Sequence, residues 1–111
     1  MTETKIRDVV EKFAKEAKGI YGKKLQEIIL YGSCARGDFA VDSDIDILVL
    51  LDVPKEDISV ERKKILDVSD QLDLEYDVVL SPVFQNYQLF QKYMSVSGLY
   101  QNVRKEGVKI A

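Results

Sequence analysis

Two apolar runs lying close together limit the fold of this chain more than anything else in it. Leu25 to Tyr31 ends in Ile28-Ile29-Leu30-Tyr31, and Ile45 to Leu51 is closed by Asp52-Val53-Pro54. Both are short, rich in β-branched and apolar residues and bounded by turn formers, as buried strands are. Only Gly32 to Ser43 joins them, too short for the crossover helix that a parallel pair requires. The two strands are therefore expected to be antiparallel neighbours. Gly32-Ser33 breaks the first of them, a short turn or helix runs through Cys34, Ala35 and Arg36, and Gly37 leads into a polar loop from Asp38 to Ser43.

The flanks supply helices. From Thr4 to about Gly19, the residues Ile6, Val9, Val10, Phe13, Ala17 and Ile20 recur at helical spacing, with Gly19 or Gly22 near the end. Ile58, Ile65, Val68 and Leu72 predict a second long helix, with Asp57 or Ser59 available as its cap. Leu74 to Leu80 reads as a third strand ended by Ser81-Pro82. Phe84 to Met94 reads equally as helix or irregular chain. Val96, Leu99, Tyr100 and Val103 predict a last helix stopped by Gly107, with Val108-Lys109-Ile110 as a short strand. The order predicts an α/β (α+β) domain, a mixed β-sheet with helices packed on it. At 111 residues, 1–111 form a single domain.

Composition narrows the chemistry. There is no histidine, which excludes a Ser-His-Asp triad, a Cys-His dyad and a His-ligated zinc site. One cysteine, Cys34, excludes an intrachain disulfide. A net charge of −3 argues against direct nucleic-acid binding. No signal-peptide pattern and no membrane-length apolar run is present, so a cytoplasmic protein is expected. Any chemistry must rest on carboxylates, hydroxyls, basic side chains and metals.

Those groups gather around the first turn. Asp44 and Asp46 sit two apart at the start of the second strand and so face the same side, their Cα atoms roughly 6–7 Å apart. Ile45 and Ile47 face the opposite, apolar side. Two acids crowded on one face repel until a cation arrives, and hard cations prefer oxygen ligands. The Gly32-Ser33 turn offers the unpaired N–H groups of a helix start, which favour an anion. The Ser33 hydroxyl adds a donor, and Arg36 is within reach of a phosphate or of an acid in the loop. A triphosphate on that turn, bridged by magnesium to Asp44 and Asp46, is the arrangement these pieces suggest. Gly32 to Gly37 also has P-loop spacing, but Asp38-Phe39 stands where a P-loop needs Lys-Ser/Thr.

Gly32-Ser33-Cys34-Ala35-Arg36-Gly37, followed by Ser43-Asp44-Ile45-Asp46-Ile47-Leu48-Val49, resembles the signature of the minimal nucleotidyltransferases of the DNA polymerase β-like superfamily. That signature is GSxARG, a short loop, then SDxDxxV. Tyr76-Asp77-Val78-Val79 is similar to the family's third-carboxylate segment, and Glu106-Gly107 to its C-terminal end. Asp73 and Glu75 are nearby competitors for the third place. The resemblance implies transfer of a nucleoside monophosphate, AMP from ATP, with two Mg2+ ions and release of pyrophosphate. Asp44, Asp46 and Asp77 would hold the metals, Asp77 also helping to deprotonate the acceptor. Gly32 and Ser33 would hold the phosphates. It further implies a HEPN-domain toxin as partner, a tyrosine of that toxin as acceptor, and an antitoxin role for this chain.

Plainer readings exist for each element. An isolated Asp-x-Asp is more often a solvated strand edge, and an isolated Gly-Ser is usually only a turn. Arg36 serves equally as a salt-bridged loop residue, and Cys34 as a small packed one. A binding module that neutralises a HEPN partner by contact alone is the main alternative. Transfer to a small molecule such as an aminoglycoside lacks a second domain to supply its pocket.

Overall fold

The computed structural model describes residues 1–111. The first helix, α1 (Glu3–Tyr21), starts where the Thr2 hydroxyl accepts from Lys5 N at 3.1 Å. It runs through Gly19 and stops at Gly22, whose φ of +56° a residue with a side chain resists. Ile6, Val9, Val10, Phe13, Ala17 and Tyr21 form its buried stripe. A 3-10 turn (Gly22–Lys24) leads to β1 (Leu25–Tyr31), then α2 (Ser33–Arg36) and β2 (Ile45–Leu51). After a second 3-10 turn (Lys55–Asp57) come α3 (Ile58–Lys63), α4 (Leu66–Tyr76), β3 (Leu80–Asn86), α5 (Tyr87–Tyr93), α6 (Gly98–Glu106) and β4 (Val108–Lys109). No helix is long and apolar enough to cross a membrane.

The sheet is mixed, in the order β3-β2-β1-β4. β1 pairs antiparallel with β2 and β4, and β2 pairs parallel with β3. Strand alternation divides the side chains. Ile28, Leu30, Ile45, Ile47, Val49 and Leu51 join the core formed with α1 and with Leu72 of α4. On the other face Ile29, Leu48 and Leu50 form a smaller core with Phe90 of α5 and Val103 of α6. These two helices cover only part of that face.

Two expectations need correction. The second helix is not continuous: Ile65, with φ −115° and ψ 0°, separates α3 from α4, and Asp57 makes no side-chain capping bond. The third strand does not occupy Leu74 to Leu80. The helical spacing of Val68, Leu72 and Tyr76 continues to Tyr76, and Asp77 ends the helix in the left-handed conformation (φ 54°, ψ 54°). Leu74-Glu75-Tyr76 alternates like a strand only when read in isolation. β3 instead contains Pro82, tolerated because β3 is an edge strand. Val79 O accepts from Ile45 N, so residues 80, 82, 84 and 86 turn their backbone groups outward. Leu80 N donates to Asp73 Oδ1 at 2.8 Å, Asn86 N donates to Gln85 Oε1 at 2.9 Å, and Pro82 has no N–H.

The smaller core is closed by a buried charge. Glu27 is 7% exposed, and Arg104 of α6 meets it through Nη1–Oε2 at 2.6 Å and Nη2–Oε1 at 3.4 Å. The same guanidinium lies 5.1 Å from the Phe90 ring centroid. Removing Arg104 would strand the carboxylate without its counter-charge. Arg104→Ala is expected to lower unfolding stability by about 3 kcal/mol in urea titration, and adding Glu27→Leu should restore most of the loss.

Candidate functional site

The pairing of β1 with β2 builds the site. Tyr31 stands opposite Asp46 at the end of the antiparallel ladder, and Asp46 is also in register with Ser81 of β3. Tyr31, Asp46 and Ser81 therefore form a row across one face of the sheet, with Asp44 just before β2 begins. Tyr31 packs against the edge of the smaller core, while Asp46 and Ser81 are only half-buried. Sequence reasoning missed Tyr31 and Ser81 as neighbours of the carboxylate. Strand alternation from Gly32 could have found Tyr31, but Ser81 required the correct place of β3.

The turn after Tyr31 folds back onto Asp46. Gly32 adopts φ +75° and ψ −157°, and its carbonyl accepts from Ala35 N and Arg36 N, both at 3.1 Å, to close α2. A Cβ built on Gly32 would lie 2.5 Å from Asp46 Oδ2. The bare glycine backbone is thus pressed against the carboxylate: the positive φ strains any other residue, and an added Cβ would force the Asp46 side chain to shift. Cys34 is buried and its Sγ donates to Asp44 O at 3.5 Å, tying the turn to the residue that starts the acidic pair. Ser43 accepts from Ala40 N at 2.8 Å and steadies the intervening loop. Arg36 Nε meets Asp38 Oδ2 at 3.3 Å, and its Nη1 meets Glu106 Oε2 at 3.6 Å. Its guanidinium links the turn to the loop and to the end of α6.

The electrostatics follow from this crowding. Burial pushes the Asp46 carboxyl above its ordinary range, the Asp44 charge adds to the rise, and Arg36 partly opposes it. Tyr31 is raised by burial and then by Asp46. Asp73 is raised by burial, opposed by its bond from Leu80 N, and raised further by Asp70 and Asp44. Two carboxylates facing one way, one of them in unfavourable surroundings when charged, offer only hard oxygen donors. That donor set fits magnesium, which prefers oxygen and retains water.

The structure brings Gly32, Ser33, Asp44 and Asp46 together. It does not cluster three acids: no group of three His, Cys, Asp or Glu side chains is gathered as a metal cage. Asp77 lies at the end of α4 rather than on a strand, exposed, two residues before the Val79 whose carbonyl pairs with Ile45. Asp73 is the later acid whose charge interacts with Asp44.

Residues 10–110 match the nucleotidyltransferase domain family. The chain belongs to that family. Two relatives from Methanocaldococcus jannaschii carry the names "Putative protein adenylyltransferase MJ0141" and "Putative protein adenylyltransferase MJ0604". The first is 31% identical over 95% of this chain and 98% of its own length. The second is 35% identical over 88% and 90%. A toxin–antitoxin complex solved with AMP-PNP contains a chain of like fold, with TM-score 0.57 and 24% identity over 91% of this chain and 72% of that one. A chain of the toxin–antitoxin MntA-HpeT matches with TM-score 0.54 and 22% identity over 100% and 73%. The mixed-sheet nucleotidyltransferase fold and enzyme class expected from the signature both hold.

Two expectations follow for the nucleotidyltransferase domain. Because Asp46 titrates higher folded than unfolded, its charged form weakens the fold. The stability gained by its protonation is fully present below the unfolded carboxylate value and lost as pH rises through the folded value. Asp46→Asn should therefore melt higher than the parent at pH 7, the gap closing as pH falls through the carboxylate range. Added magnesium should raise the melting temperature of the parent only. Gly32→Ala should lose about 2 kcal/mol in denaturant titration, from its positive φ and its contact with Asp46.

Proposed function

We propose that this domain transfers AMP from ATP to a tyrosine hydroxyl of a HEPN-type toxin and thereby acts as an antitoxin. The observation that carries the reading is the Gly32 turn pressed against Asp46, with Asp44 beside it: an anion seat adjoining a pair of oxygen ligands. The names of the curated relatives favour a protein acceptor. The neighbours of like fold come from toxin–antitoxin structures, one holding an ATP analogue.

In this reading Gly32 and Ser33 seat the β- and γ-phosphates with backbone N–H groups and the Ser33 hydroxyl. Asp44 and Asp46 would hold magnesium. When bound, two Mg2+ ions would supply the positive charge that lets acids and triphosphate share one site and that eases loss of the acceptor proton. Arg36 keeps the turn in place through Asp38 and Glu106 and lends positive potential to the phosphates. The tyrosine oxygen bonds to the α-phosphorus as the bond to pyrophosphate breaks. Asp77, which ends α4 ahead of β3, takes the third acid's role and receives the proton.

The reaction is tested with labelled ATP, magnesium and the candidate toxin, followed by mass mapping of the labelled residue. Parent protein should label a tyrosine. Asp44→Asn and Asp46→Asn should each lose about a thousandfold or more, and Asp77→Asn at least a hundredfold, as loss of charge stabilisation or of a base entails. Neutralisation by contact alone is favoured by the exposed Tyr93, Val96 and Leu99 around the α5–α6 turn. If Asp44→Asn/Asp46→Asn protein still silences the toxin, contact and not transfer is its mode of action.

A further inference from the structure

The sheet face bearing the carboxylates continues beyond them on β3. Leu80 is buried in the main core, so strand alternation turns Val79, Ser81 and Val83 to the opposite face, beside Asp44, Asp46 and Leu48. α6 meets β3 through Gln85, whose Nε2 donates to Tyr100 Oη at 3.1 Å. Val79 and Val83 are left 53% and 46% exposed, an uncovered apolar strip abutting the site. The Gly32 turn lies on the β1 side of Asp46 and β3 on the other. In-line displacement puts the attacking oxygen and the departing pyrophosphate on opposite sides of the α-phosphorus. With the phosphates on the Gly32 side, the acceptor arrives over β3.

The outer border of that approach is acidic: α4 packs on the opposite face of the sheet, but Asp73 reaches the β3 edge to accept from Leu80 N, and the charges of Asp70 and Asp44 both act on it. From Leu66 to Asp77 the chain holds Asp67, Asp70, Asp73, Glu75 and Asp77 and no basic residue. Lys12 pairs with Glu75 alone of these, at 3.4 Å. Such a rim repels phosphate backbones and favours cations. An open apolar strip suits an extended polypeptide better than a small polycation, which needs a concave pocket.

We propose that the acceptor docks on Val79, Ser81 and Val83 as a basic polypeptide segment, its tyrosine flanked by lysine or arginine and directed at Asp46 by the carboxylates of Asp70 and Asp73 at the β3 edge. This deepens the adenylyl-transfer reading and rests on it.

The test uses the full chain and two fluorescein-labelled peptides, each with one central tyrosine. One carries lysines on both sides and the other glutamates. Anisotropy is measured with a non-hydrolysable ATP analogue and magnesium, so that binding is read without turnover. The lysine peptide should bind at least tenfold tighter than the glutamate peptide, weakening as salt rises. Its largest amide shifts on the 15N-labelled chain should fall at residues 79–83. Val83→Lys and Asp70→Lys should each weaken it fivefold or more while nucleotide binding is unchanged. Equal affinity for both peptides, no binding of either, or shifts centred on Tyr93 to Leu99 would overturn the docking surface. Failure here is separable from failure of the transfer reading. A Val83→Lys protein that labels the toxin at the parent's rate defeats only the surface, whereas a parent that labels no toxin defeats the reaction.

Discussion

The antiparallel pairing of β1 with β2 is the constraint on which the rest depends. Its last rung, Tyr31 opposite Asp46, fixes where the chain must turn. The turn has to pass directly over the carboxylate, at a positive φ that strains any residue with a side chain. The Gly32 turn and the two carboxylates are thus placed by one ladder rather than by two independent loops. A slip of one residue in that ladder would send Asp44 and Asp46 into the apolar core and Ile45 and Ile47 into solvent. The full burial of both isoleucines resists such a slip, so packing on the far face guards chemistry on the near one.

The acidic pair is an example of function working against stability. Asp46 is partly buried, faces a second carboxylate, and receives only modest relief from Arg36. Nothing in the fold needs a charge there. The surrounding structure tolerates it because the helices and the main core are well packed and the turn is held from several directions, by Cys34 on Asp44, Ser43 on Ala40 and Arg36 on Glu106. Under the adenylyl-transfer proposal, a site assembled in this way is set for cations before they arrive.

Much of this was legible in the sequence, for identifiable reasons. The antiparallel strands, the turn and the facing acids followed from short-range rules: a connection too short for a crossover, and alternation within one strand. The region after Leu72 was harder. Leu74 to Leu80 contains apolar residues that satisfy a period of two, while Val68, Leu72 and Tyr76 satisfy the helical period from further upstream. Tertiary packing of Leu72 against the core decided for the helix. That displaced β3 by several residues, removed Asp77 from its expected strand and put Ser81 beside Asp46. Parallel pairing with β2 is a long-range contact with no local trace in the sequence. The closing of the smaller core by Arg104 on Glu27 is likewise invisible without the fold, since the two residues lie far apart in the chain.

The outer border of β3 has a consequence for how the molecule can assemble. Of its four outward amide positions, one is a proline and two are satisfied within the chain by Asp73 and Gln85. A second sheet laid alongside would find almost no donors to grip, so growth of a continuous ribbon from copy to copy is blocked at this border. At this border a companion must recognise the domain by the shape and charge of its side chains, a mode that discriminates between partners far better than generic backbone pairing.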